Sequence, residues 1–188
     1  MEWHLKDNDK TALLALARDS LVSHFKESEE QTLKNFEMKI LPRHPALAQK
    51  LPCFVSLHTR TKELRGCIGI LETKDALYEN TAHYVLQAAM AGPRFPRVKQ
   101  TEVANLRIGI SVLGPSKEIT SLQEVEIGKH GLVVQSGNRR GVLLAKVAVE
   151  QGWDQEEFLA QTCLKAGLAP EMVYHYKMFV FEEISFED

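Results

Sequence analysis

The chain of 188 residues has few cysteines and no long apolar run. Its three cysteines, Cys53, Cys67 and Cys163, form no Cys-x-x-Cys pair and are too few for a disulfide framework. No apolar stretch approaches the roughly 18 residues that a membrane-spanning helix needs. The first residues lack the charged and apolar regions of a signal peptide. We therefore expect a cytoplasmic protein with reduced thiols.

The chain also lacks an excess of charge of either sign. Its 25 acidic residues and 23 lysines and arginines give a formal net charge of −2, so nothing draws the whole molecule toward nucleic acid or a membrane. The seven histidines are scattered without ligand spacing, and no glycine loop suited to a phosphate is present. We expect no metal and no cofactor.

Apolar residues at spacings of three and four predict three helices. We expect them over residues 9–26, 72–91 and 154–167. Thr73 or Asp75 is available to cap the second helix, and Asp154 to cap the third. Residues 27–37 are charged with little apolar pattern, and the prolines at positions 42 and 45 indicate a loop.

Runs rich in β-forming residues predict two hairpins and two further strands. The first hairpin pairs residues 52–58 with 64–71, and the second is turned by Ser136-Gly137-Asn138. The alternating run 106–113 is a strand. Residues 174–186 are apolar on both faces, which is typical of a central strand.

A terminal strand that is buried must pair within a sheet, and the sheet holding the first hairpin is the simplest host. We therefore predict an α+β fold, with antiparallel sheets and helices, in two unequal subdomains. The larger subdomain comprises residues 1–115 and 170–188. The smaller one, residues 116–169, is inserted into it.

The run Leu64-Arg65-Gly66-Cys67-Ile68-Gly69 is the most unusual stretch of the chain. Glycines in a strand mark a bulge or a close approach to the backbone. Strand alternation puts Arg65, Cys67 and Gly69 on one face, where a cation beside a thiol favours the thiolate.

Two interpretations of Cys67 stay open. It is either a nucleophile or redox thiol that Arg65 tunes, or a small buried core residue, as free cysteines usually are. A nucleophile normally needs a base as well. His58, His83 and His130 are the candidates, and the sequence imposes no relation between any of them and Cys67.

The run from Leu64 to Gly69 resembles the signature of the AMMECR family, also called AmmeMemoRadiSam system protein A. Further matching motifs follow in order, from about residue 52 to the C-terminus: Pro93-Arg94-Phe95-Pro96, Leu106-Arg107, Ser111-Val112-Leu113, His130-Gly131-Leu132 and Glu150-Gln151-Gly152-Trp153-Asp154. Two positions depart from the family pattern. Gly92 stands where relatives usually carry an acidic residue. Ala145 stands where relatives usually have proline, and we expect it to loosen the loop after the second hairpin.

The resemblance implies two subdomains separated by a cleft that the signature motif faces. It also implies partners of two kinds, a Memo-like protein and a radical SAM protein, and a role in RNA modification that has been conjectured for the family. The predicted catalytic residues are Cys67 and Arg65. The predicted ligand-binding residues are Arg65, Gly66, Cys67, Gly69, Arg94, His130 and Trp153.

Two functional classes remain. The first is a binding protein for a macromolecular or anionic ligand, and the second is a Cys67-dependent enzyme or enzyme subunit that modifies a macromolecule. Arg94, held between prolines, is suited to a carboxylate or phosphate, or pairs within its own loop. The basic residues form either a patch or ordinary solvated surface; they are Arg60, Lys62, Arg94, Arg97, Lys99, Arg107, Arg139 and Arg140. RNA binding usually also recruits exposed aromatic residues, and we identify none that interleave with these charges, so the charge does not support nucleic-acid binding.

Overall fold

A computed structural model describes residues 3–26, 28–91 and 95–188 and divides the chain into two compact units. Unit 1 comprises the described residues up to Val112 together with Ile184–Asp188, and unit 2 is Leu113–Glu183. The subdomain boundaries expected from the sequence lay at 115/116 and 169/170. The cleft stays a prediction.

Both units combine helices with antiparallel strands, which confirms the predicted α+β class. No helix among the described ranges is long and apolar enough to cross a membrane.

Three helices belong to unit 1: α1 (Asp7–His24), α2 (Glu29–Lys39) and α3 (Leu77–Met90). The predicted apolar face of α1 is buried through Leu13, Ala17 and Leu21. Helix α2 lies in the charged stretch for which no helix was predicted. It buries Phe36, whose ring stacks on Tyr78 of α3.

The start of α3 differs from the prediction. The helix begins at Leu77 rather than at position 72, because the backbone N–H of Ala76 donates to the carboxylate of Glu79 at 2.7 Å. The expected caps Thr73 and Asp75 are wrong. Thr73 instead accepts a hydrogen bond from the backbone N–H of Asp75 within the preceding turn.

The sheet of unit 1 contains the predicted first hairpin. Strand β1 (Cys53–His58) pairs antiparallel with β2 (Leu64–Gly69) on one side and with β3 (Arg107–Leu113) on the other. The residues of β1 that face α3 are buried, as are Ile108 and Ile110 of β3. This face of the sheet forms one side of the hydrophobic core of unit 1.

Unit 2 contains the second hairpin, formed by β5 (His130–Ser136) and β6 (Arg139–Leu143). Strand β7 (Lys177–Glu187) pairs with β5 along one edge and with the short β4 (Lys117–Ile119) along the other. It is therefore a central strand, as predicted, but most of it lies in unit 2, whereas we expected it in the larger subdomain with the first hairpin. Its last residues belong to unit 1, where Ser185 contacts Ser111 of β3 through their hydroxyls at 2.7 Å.

Two helices of unit 2 pack on this sheet, α4 (Ala145–Gln151) and α5 (Gln155–Lys165). Asp154 caps α5 by accepting from the backbone N–H of Glu157, and Gly167 follows with a φ of +67°, so this helix is confirmed. The expectation that Ala145 loosens a loop is wrong. Ala145 is the first residue of α4, a position that proline also suits.

Candidate functional site

The two glycines within β2 allow close packing against other parts of the chain. A Cβ atom at Gly66 would stand 2.2 Å from the carbonyl oxygen of Ala88, so α3 lies directly on the strand backbone. A Cβ atom at Gly69 would stand 2.5 Å from Cγ of Phe54, its cross-strand partner. Both glycines therefore have structural reasons to be there, independent of any ligand.

Cys67 lies between these glycines and pairs in register with Ser56 of β1. It is half-buried, whereas Cys53 and Cys163 are both buried. Burial raises the pKa of the Cys53 thiol to about 12, against a weaker opposing effect of the hydrogen bond with Thr81. Burial also raises the pKa of Cys163. Of the three cysteines, Cys67 is the one that is not fully buried.

Arg65 falls at an irregularity in the β1–β2 ladder. Leu57 pairs with Gly66 but His58 pairs with Leu64, so Arg65 has no partner in the β1–β2 pairing. Such a bulge redirects the side chain and breaks the simple alternation expected from the sequence.

The guanidinium of Arg65 binds the segment that precedes β3. It forms a two-point ion pair with Glu102, with Nε 2.9 Å from Oε1 and Nη2 3.2 Å from Oε2. It also donates to the backbone carbonyls of Pro96, at 2.6 Å, and Arg97, at 3.1 Å. Four hydrogen bonds occupy most of its donors, so Arg65 ties β2 to residues 96–102.

Glu102 is the acceptor at the centre of this arrangement. Its Oε2 also accepts from the backbone N–H of Lys99 at 2.8 Å, which fixes the start of the 3₁₀ helix Gln100–Asn105. The bond with Arg65, followed by that with Lys99, lowers the pKa of Glu102 against the opposing effect of burial. The hydrogen bond from Arg65 to the carbonyl of Pro96 joins the first two family motifs in space.

Four exposed basic residues belong either to the loop before β2 or to the segment that Arg65 binds, and we call them the basic cluster: Arg60, Lys62, Arg97 and Lys99. The first two are in the loop directly before β2, and the other two are in the segment that Arg65 holds. All four are exposed, and the charge of Lys99 contributes to the lowered pKa of Glu102. Arg107 differs, because it donates to the backbone carbonyl of Asp188 and pairs with Glu187.

The structure distributes the predicted site residues unevenly. Arg65, Gly66, Cys67 and Gly69 all lie on β2, whereas Arg94 lies outside the described residues. His130 and Trp153 belong to unit 2. There, Nδ1 of His130 accepts from the backbone N–H of Glu126 at 3.1 Å, and Trp153 packs against the core of unit 2.

The candidate bases for Cys67 differ in their surroundings. His58 is half-buried on β1, opposite Arg107 of β3. His83 is exposed on α3, with its ring against the edge of Tyr84. No group of three or more histidine, cysteine or acidic residues in the described part of the chain is placed to hold a metal ion.

Glu102 is the site residue that sequence reasoning missed. Glu102 accepts from the backbone N–H three residues earlier, but Lys99 lacks the side-chain oxygen that marks a capping box in a sequence, so the local signal is weak. The contact with Arg65 spans 37 positions and has no local signal.

Comparisons with known proteins bear on the family. The AMMECR1 family model matches residues 14–186. Protein MK0488 of Methanopyrus kandleri is 40% identical over 91% of this chain and 86% of its own length. Protein MJ0810 of Methanocaldococcus jannaschii is 41% identical over 72% of this chain and 75% of its own. The crystal structure of protein PH0010 from Pyrococcus horikoshii superposes with a TM-score of 0.84 and 34% identity, covering 98% of this chain and 93% of that one. The chain therefore belongs to the AMMECR1 family.

Proposed function

We propose that the surface of unit 1 around Arg65 binds an anionic ligand through the basic cluster. The observation that carries this proposal is that Arg97 and Lys99 are exposed on a segment whose backbone Arg65 holds in place, with the exposed Arg60 and Lys62 in the loop directly before the strand of Arg65. Exposed cations on an ordered segment are accessible to an anionic ligand in solution.

The bonds of Arg65 explain why the site favours binding. Because its donors are already engaged with residues 96–102, Arg65 acts as a positioning residue for Arg97 and Lys99. A segment that is ordered before the ligand arrives loses less conformational entropy on binding. The four cations extend over a loop and a separate segment, which suits an extended, macromolecular polyanion better than a single small anion.

The test uses fluorescence anisotropy with a labelled single-stranded RNA of twelve nucleotides and with inorganic polyphosphate as competitor. We expect the double variant Arg97→Gln/Lys99→Gln to lose at least about fivefold in affinity, with a shallower dependence on salt. The matched control is Lys50→Gln/Lys74→Gln, which removes the same charge near the opposite end of the hairpin, where both lysines are exposed. Equal losses in the two double variants, or no binding of either polyanion at about 50 mM salt, would contradict the proposal.

A second proposal is that Cys67 performs chemistry on a macromolecule together with Memo-like and radical SAM partners. The half-buried position of Cys67, against two buried cysteines, is the observation that supports it. On this proposal Arg65 would orient the substrate indirectly, since its guanidinium is bound to residues 96–102. Loss of a modified product with Cys67→Ser but not with Cys163→Ser, in the presence of both partners, is the expected result. Equal activity of Cys67→Ser and Cys163→Ser would contradict this proposal.

A further inference from the structure

A second candidate site lies in unit 2, in a groove of about 850 Å³ between α5, β4 and the 3₁₀ helix Pro170–His175. Its apolar floor contains Ile119 of β4 and Met178 of β7, which pair in register, and Leu159 of α5. These three residues belong to the core of unit 2 or pack against it, so the fold holds the floor in place. The basic cluster belongs to unit 1 and does not line this groove.

One side chain of the groove is left almost wholly in solvent. Tyr174 lines the groove and is 93% exposed. Its hydroxyl forms no hydrogen bond within the part of the chain that the structure describes. Tyrosine offers a large, rigid surface at a low cost in side-chain entropy, and it is enriched among the residues that dominate binding energies. An exposed aromatic ring beside an apolar groove therefore indicates a binding surface.

A second aromatic ring borders the same groove. Tyr176 is half-buried against the core of unit 2, and its hydroxyl donates to the backbone carbonyl of Ala169 at 3.2 Å. Its ring is therefore held in one orientation. Extended proline-rich segments recognise grooves bordered by aromatic rings, because such a segment is a preformed polyproline II helix whose prolines pack between the rings.

The groove also carries the hydrogen-bond donors that such a segment needs. A polyproline II helix makes no internal hydrogen bonds, so its carbonyls stay available. The side-chain amide of Gln123 lines the groove, is exposed and forms no hydrogen bond among the described residues. Together with the hydroxyl of Tyr174, this amide can donate to two of the carbonyls.

The charged residues that line the groove leave it with one uncompensated negative charge. Lys177 faces Glu118, with Nζ 4.0 Å from Oε1, so their charges largely cancel. Glu156, in the first turn of α5, is exposed and forms no ion pair within the described ranges. No arginine from the described part of the chain lines the groove. A ligand that combines a cation with an apolar part is therefore favoured over an acidic ligand.

We infer that this groove binds a proline-rich segment of a partner protein that carries arginine. Proline rings pack against Tyr174, Tyr176 and the apolar floor, and an arginine pairs with Glu156. Six residues of a polyproline II helix extend about 19 Å, so different residues of the segment contact Tyr174 and Glu156, and no single group has to reach both. This binding is separate from that proposed for the basic cluster.

The test uses a labelled nine-residue peptide with the repeat Pro-Pro-Arg, in which three residues per turn place the arginines along one face. Two analogues replace every arginine with glutamate or every proline with glycine. Each peptide is titrated into the full chain by fluorescence anisotropy, and NMR signals of the backbone amides of residues 118–123 and 171–178 locate the binding. We expect saturable binding of the first peptide, at least about fivefold weaker binding of the glycine analogue, and no saturable binding of the glutamate analogue. Equal affinity of either analogue, or shifts confined to other residues, would overturn the inference.

Two variants, each with a matched control, test the residues of the groove. Tyr174→Ala should weaken binding of the Pro-Pro-Arg peptide at least about fivefold, whereas Met172→Ala, which truncates an exposed residue of the same 3₁₀ helix outside the groove, should leave it unchanged. Glu156→Gln should weaken binding about threefold and reduce its dependence on salt, whereas Glu171→Gln, also exposed and outside the groove, should not. Equal effects within either pair would overturn the inference. A dimer that depends on Tyr174 in analytical ultracentrifugation, without peptide binding, would assign the groove to a second copy of the chain and would also overturn it.

Discussion

Cys67 differs from the other two cysteines in its exposure, and chemical reactivity follows from exposure and pKa. The thiolate is the reactive form, so a buried thiol with a raised pKa is slow to react. Cys53 is buried and its pKa is about 12, while burial raises the pKa of Cys163 as well.

We therefore predict that iodoacetamide modifies Cys67 first in the native protein, at least about tenfold faster than Cys53 or Cys163. Mass spectrometry of peptides sampled over time, at several pH values, measures the three rates. The urea-unfolded chain is the control, in which the three rates should converge. Simultaneous modification of all three cysteines under native conditions would contradict the prediction. If the modification rate of Cys67 rises with pH around a midpoint well below about pH 8.5, the result would favour the enzyme proposal.

The ion pair of Arg65 and Glu102 makes a prediction about pH. The pKa of Glu102 is lowered in the folded protein, chiefly by its bond with Arg65. A carboxyl whose pKa is lowered in the folded state stabilises the fold at pH values above its pKa in the unfolded chain, about 4.3. This stabilisation is lost as the pH falls through its pKa in the folded protein. Glu102→Gln should thus destabilise the protein at pH 7, and the difference should shrink below about pH 4.

Urea unfolding of the wild type and of Glu102→Gln between pH 3 and 7 measures this difference. Because the Glu102 side chain is 35% exposed, solvent screening keeps the expected effect small, below about 1 kcal/mol. Glu63→Gln, an exposed carboxyl at the end of the preceding loop, is the control. A difference that is constant with pH would show that the charge of Glu102 is not what matters.

The packing of strand β2 against helix α3 depends on the absence of a side chain at Gly66. The carbonyl of Ala88 belongs to a helix backbone and cannot rotate away from an added methyl group. We predict that Gly66→Ala costs about 2–4 kcal/mol of unfolding free energy, because either the strand or the helix must shift.

Gly109→Ala is the matched control for this prediction. The added Cβ would stand 2.7 Å from Oγ of Ser56, a side-chain atom that can rotate away at the cost of its long hydrogen bond to the carbonyl of Gly109, at 3.5 Å. We expect a cost of less than about 1 kcal/mol there. Chemical denaturation measures the unfolding free energy of the two variants. Equal losses in both would mean that the close packing of α3 on Gly66 does not determine the cost of the added methyl group.

Sequence patterns predicted elements whose stabilising contacts are local. The turn Ser136-Gly137-Asn138 and the cap of α5 at Asp154 lie within a few residues of the elements that they define, and both are confirmed. Helix α2 was missed because it buries mainly Phe36 and is otherwise charged, so its apolar period is weak.

The arrangement around β2 could be predicted only in part. The glycines and Cys67 were recognised as unusual, but the bulge at Arg65 depends on the register with β1, and its four hydrogen bonds depend on residues more than 30 positions away. Long-range pairing of this kind leaves no periodic signal in the chain.

At the scale of the whole molecule, each compact unit carries one tryptophan. Trp3 packs against the core of unit 1 and Trp153 against that of unit 2. Variants with a single tryptophan, Trp3→Phe and Trp153→Phe, therefore report on the two units separately.

Asp188 attaches the C-terminal residues to the rest of unit 1. Its Oδ1 accepts from the backbone N–H of Ile108 at 2.8 Å, and its Oδ2 pairs with Arg18, which also donates to the carbonyl of Leu106 at 2.8 Å. We predict that Asp188→Ala lowers the free energy of unfolding reported by Trp3 by about 1–3 kcal/mol. Glu187→Ala, which removes an exposed pair with Arg107, should cost less than about 0.5 kcal/mol. An unshifted Trp3 transition in Asp188→Ala would contradict the prediction.

Because β7 ends in unit 1, unit 1 can be completed only after the residues of unit 2 have been synthesised. Residues 184–188 complete unit 1, yet the ribosome makes them after all of residues 113–183. At about 5–20 residues per second, this leaves a gap of roughly 4–14 s. During that time the edge of β3 next to Ile108 lacks its final partner, which is when a chaperone that covers open strand edges would act.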